Sequence, residues 1–64
     1  MQTFIKINNV RLIKSSIKKY APHGENKINI YFNTSRYRIE METFVFPTEE
    51  ERGNVMDYLD AMFL

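Results

Sequence analysis

At Thr48 the spacing of apolar residues changes period, and that change constrains the fold more than any other feature of the chain. Upstream, between Phe4 and Phe46, apolar and polar residues alternate in short runs, as in half-buried strands. Downstream, Val55, Leu59 and Met62 recur at three- and four-residue intervals, the pattern of one helix face. Thr48 suits the N-cap, and Glu51 three residues later completes a capping box. Glu49, Glu50 and Glu51 fall in the first turn, where the helix dipole favours negative charge. The order of elements predicts an α+β fold: a small antiparallel β-meander of four strands over residues 3–46, with one C-terminal α-helix, residues 48–63, packed on one face.

The firmest strand signal is "FIKINNVRLI". Two alternating runs flank Asn8-Asn9, and Asn tolerates the positive φ that a two-residue type I′ turn demands. In that register Ile7 faces Val10 and Ile5 faces Leu12 on one side, while Phe4, Lys6, Arg11 and Ile13 share the other. Lys14-Ser15-Ser16 breaks the alternation and reads as a bulge or bend. Ile17 to Tyr20 resumes the strand, and "APHGEN" reads as a loop because it holds Pro22 and Gly24. "KINIYFN" sets Ile28, Ile30 and Phe32 against Lys27, Asn29 and Tyr31. In "RYRIEMETFVF", Tyr37, Ile39 and Met41 are expected inward, with Arg36, Arg38, Glu40 and Glu42 outward. Phe44-Val45-Phe46 then closes the sheet with both faces apolar or with a bulge.

On a helical wheel, Val55, Leu59 and Met62 form the centre of the apolar face, with Met56 and Phe63 on one flank and Tyr58 on the other. The arc spans about 160°, wider than the stripe of roughly 100° that packing on a core requires. The centre is read as core and the flanks as candidates for a second surface. Gly53 weakens the helix by about 1 kcal/mol relative to Ala, which a close approach of helix to sheet would explain.

All 64 residues fit one domain. The chain holds no cysteine, so neither disulfides nor a thiolate metal site can staple it, and a cytoplasmic setting is expected. No stretch reads as a signal peptide or a membrane span. A single core of this size rarely supplies more than about 3–5 kcal/mol, which makes self-association an obvious remedy. Charge is divided along the chain: residues 1–38 carry eight Lys/Arg and one acid, whereas residues 39–64 carry one Arg and seven acids. The sheet's cations can offset the helix's acids within one molecule or between two.

Little supports chemistry. His23 is the sole imidazole and lies in a Pro/Gly segment; the glutamate run is explained by the helix start, and Gly24 and Gly53 build no phosphate loop. A chain this short leaves little volume for a substrate pocket. No enzyme, cofactor, metal site or small-molecule substrate is therefore expected. Two binding functions remain. The first is a protein-interaction module, self-associating as a homodimer, with Met56, Tyr58, Phe63, Phe4, Ile13 and Tyr31 as interface candidates, since Met, Tyr and Phe are enriched at interfaces. The second is binding of RNA or single-stranded DNA on the sheet face opposite the helix, through Lys6, Arg11, Lys27, Tyr31, Arg36 and Arg38, with rings stacking on bases and cations tracking phosphates. In size and layout the chain resembles small bacterial and phage-encoded proteins that inhibit or adapt a larger partner. That is a likeness of scale and pattern that carries no residue roles, and the interaction module is preferred.

Overall fold

The computed structural model describes residues 3–33 and 41–64. It has a two-stranded hairpin, a three-stranded antiparallel sheet and one C-terminal helix. The strands are β1 (Phe4–Ile7), β2 (Val10–Ile13), β3 (Ile17–His23), β4 (Lys27–Phe32) and β5 (Met41–Val45), and α1 is Glu49–Phe63. The expected single meander of four strands is therefore corrected, among the described residues, to five strands in two sheets. The break falls at Lys14–Ser16, which winds into one 3-10 turn. Ser16 Oγ donates to the Ile13 carbonyl (2.7 Å) and holds the turn shut. The chain thus leaves the hairpin plane before β3 begins.

The hairpin forms in the expected register, with Phe4 opposite Ile13, Ile5 opposite Leu12, Lys6 opposite Arg11 and Ile7 opposite Val10. Asn8 and Asn9 take φ of 50° and 66°, the left-handed pair of a type I′ turn. Ile5 and Ile7 are buried, whereas Val10 at the hairpin tip is exposed.

Two strand expectations are revised. β3 does not stop at Tyr20 but runs through Ala21-Pro22 to His23, and the turn is confined to Gly24–Asn26. Proline is tolerated there because β3 is an edge of the order β3-β4-β5. In β5 Phe44, and just after it Phe46, point inward while Met41 is 40% exposed. The inward phase is thus opposite to the one expected for Met41, set by two bulky aromatic side chains that fill the core. Tyr37 and Ile39, the other expected inward residues, and Arg36, Arg38 and Glu40 lie outside the described residues.

The core is a cluster of Ile5, Ile7, Ile17, Ile28, Ile30, Phe44, Phe46 and Leu59, with Val55, Met56, Met62 and Phe63 packed on it. Hairpin, sheet and helix all contribute, so no pair of elements closes alone. Thr48 caps α1 by accepting from the Glu51 N–H at 3.1 Å. Leu59 is fully buried, as the centre of the wheel requires. A Cβ at Gly53 would meet nothing within 4 Å, so close packing does not explain that glycine.

Candidate functional site: a groove and two unlike sheet edges

Backbone parity fixes what each sheet edge presents. In an antiparallel ladder, alternate residues turn their N–H and C=O to opposite neighbours. The Phe46 N–H donates to the Asn26 carbonyl at 2.8 Å. With the register of Ile28 on Phe44 and Ile30 on Glu42, that bond turns the backbones of residues 42, 44 and 46 toward β4. Met41, Thr43 and Val45 therefore turn theirs to the open side of β5. The same alternation carries across β4 to β3 and turns Tyr20 and Pro22 outward.

The β3 edge offers little to a pairing strand. Pro22 has no N–H, the Ile17 N–H is already bonded to the Lys14 carbonyl, and the register shifts between Ile17 and Lys19. Of its outward donors, the Tyr20 N–H remains. The Tyr20 side chain is anchored on the inner face: its hydroxyl donates to Asp60 Oδ1 at 2.8 Å, and its ring lies 5.5 Å from that of Phe63. Burial, then the hydrogen bond to Asp60 and its charge, raise the Tyr20 pKa above the usual 10.0. Asp60, at the unfavourable end of the helix dipole, is thus met by a tyrosine hydroxyl.

Between this edge and the last turns of α1 runs a groove of about 510 Å³. Ile17, Tyr20, Met56, Phe63 and Leu64 supply its apolar lining, and Lys18, Lys19 and Asp60 complete it, with the Lys19 ammonium turned toward Tyr31 on the outer face. Lys14 Nζ also sits 5.3 Å from the Phe63 ring centroid. Lys14 and Lys18 outnumber Asp60, the groove's one carboxylate side chain, so the groove carries net positive charge. The volume exceeds what chain length led us to expect, because a cleft where helix and sheet meet takes no volume from the core.

The interface candidates are divided among several places. Met56 and Phe63 meet in the groove. Tyr58 is exposed elsewhere on α1, while Phe4 and Ile13, both exposed, are cross-strand neighbours on the outside of the hairpin. Tyr31 lies on the outer face of the three-stranded sheet, with Lys19 Nζ 4.7 Å from its ring centroid. The nucleic-acid candidates are likewise split, with Lys6 and Arg11 paired on the hairpin and Lys27 and Tyr31 on β4. Arg36 and Arg38 lie outside the described residues. Sequence reasoning missed Lys18, Lys19, Tyr20 and Asp60, and also the open edge of β5. Pro22 was the available clue, since proline inside an alternating run marks an edge strand.

Among the described residues, no group of three or more His, Cys, Asp or Glu could hold a metal ion. No described helix is long and apolar enough to cross a membrane. No protein-family model, curated protein or solved structure matches this chain.

Proposed function

We propose that this chain is a small non-enzymatic protein-interaction module that self-associates and acts as an adaptor or inhibitor of a larger protein. The groove between β3 and α1 carries the reading. Its apolar lining suits a hydrophobic anchor, and Lys18, with Lys14 beside Phe63, suits an acidic neighbour of that anchor. The partner is thus a segment of another protein with an apolar side chain beside carboxylates. Selection from a displayed random-peptide library tests this. Wild-type protein should enrich apolar-acidic peptides, and the variant Lys14→Glu/Lys18→Glu should lose that preference. Enrichment indifferent to the charge reversal, or none at all, would overturn the reading.

A second reading, single-stranded nucleic acid, draws on the outer face of β3–β5. Its nine positions include Lys19, His23, Lys27 and Tyr31 and no acid. Light scattering on a sizing column, with absorbance followed at 260 and 280 nm, separates the two. Excess 260 nm absorbance that disappears in Lys19→Ser/Lys27→Ser would favour this second reading.

A further inference from the structure

We infer that the open edge of β5 pairs with β5 of a second copy, antiparallel about a two-fold axis at Thr43, to give a continuous six-stranded sheet. The inference deepens the self-association proposed above and names its seam. Three observations point to a second copy as the occupant. First, among the described residues the Thr43 N–H and C=O and the Val45 N–H have no backbone partner. Second, the edge complements itself: with Thr43 on the axis, Met41 of each copy falls opposite Val45 of the other. Met41 and Val45 are 40% and 54% exposed, and apolar and Thr–Thr cross-strand pairs both favour sheet pairing. Third, the charges permit it. No charged side chain stands at the outer-face positions of β5, and each Glu42 lies opposite Phe44 of the other copy rather than the other Glu42.

The guarded β3 edge supplies the stop. Pairing open edge to open edge uses both, and the assembly ends on two β3 strands that accept little. The two-fold contact therefore closes as a dimer instead of growing into a filament. Thr43 contributes two bonds across the axis, and the Val45 N–H of each copy reaches the Met41 carbonyl of the other. The Val45 carbonyl already accepts from Asn8 Nδ2 at 3.0 Å. A seam of five residues per copy is smaller than a standard interface of roughly 800 Å² per partner, so the dimer is weak and concentration-dependent.

The cysteine-free chain allows a test of register. Thr43→Cys places both thiols on the axis, where hydrogen-bonded partners lie about 5.5 Å apart at Cα, within disulfide reach. Under mild oxidation this variant should cross-link quickly. Val45→Cys, also at an exposed position, should cross-link at least about tenfold more slowly alone but readily when mixed with Met41→Cys. Thr43→Pro should shift the light-scattering mass toward the monomer while keeping the wild-type circular dichroism. If that variant fails to fold, the cysteine rates alone decide. Equal rates for Thr43→Cys and Val45→Cys in a protein that still dimerises would overturn this seam and leave self-association standing. A monomer at every concentration would overturn both, and would leave the peptide-selection result to decide the groove.

Discussion

The two edges of the three-stranded sheet differ in almost every respect that governs strand pairing. β3 carries Pro22, a register shift at Lys18, two adjacent lysines and an N–H already spent on the 3-10 turn. β5 carries no proline, runs in unbroken register with β4 and has one charged residue, Glu42. Natural sheets blunt exposed edges with such prolines, bulges and lysines. One edge here has all three devices and the other has none. An edge left unguarded beside a guarded one is what a protein needs if it is to pair once and then stop.

The comparison can be broken or sharpened at several scales. The largest effect tests the sheet itself: Ile30→Ala, at a fully buried position, should cost about 2–5 kcal/mol. Val45→Ala on the outer edge should stay within about 0.5 kcal/mol. Urea unfolding measured at low protein concentration compares them, and similar losses would mean that β5 is not an exposed edge. Next is the parity of β5. Glu42→Pro removes an N–H directed at β4 and should cost at least about 1–3 kcal/mol, whereas Thr43→Pro should cost clearly less. A reversed order would invert the edge assignment.

Tyr20→Phe tests how the guarded edge is held to the helix, with an expected loss of about 0.5–1.5 kcal/mol near neutral pH. The phenol's folded pKa is raised above 10.0, so above that pH the unfolded chain binds fewer protons at this site than the folded one. Stability from the neutral hydroxyl is present below pH 10 and lost as pH rises through the folded value. The gap between wild type and Tyr20→Phe should therefore narrow above pH 10, and a constant gap would remove Asp60 from the account. Smaller still, Gly53→Ala should add about 0.5–1 kcal/mol, since a Cβ has open space there. It touches neither edge, so the difference between them must survive it. Smallest is Asn8→Gly, which keeps the positive φ but deletes the bond to the Val45 carbonyl. Amide exchange at Val45 and Thr43 should quicken on dilution in this variant, while exchange at Tyr20 stays as it was.

What was legible in the sequence was what neighbours in the chain decide. Asn8-Asn9 fixes a turn and a register within ten residues, and Thr48 with Glu51 fixes a helix start within four. The strand through Pro22 was hidden because proline marks a loop and an edge strand alike, and only the place of β3 in the sheet tells them apart. The phase of β5 was hidden because the segment holds apolar residues in both phases. Phe44 and Phe46 fill the core, which leaves Met41 outside. The groove could not be read at all, since its central contact joins Tyr20 to Asp60, 40 residues apart.

Every β ladder among the described residues joins strands that are consecutive in the chain. The paired strands lie close together in sequence, so these ladders can assemble early and independently, and folding should be fast for a protein rich in strands. The helix has the opposite kinetic character. Leu59 reaches a core otherwise built from residues 5 to 46, so docking of α1 needs contacts far apart in sequence, and the inner face of the sheet stays in water until it happens. Until that moment the apolar inner face and the bare β5 edge are exposed together. That interval is when the chain is most open to aggregation.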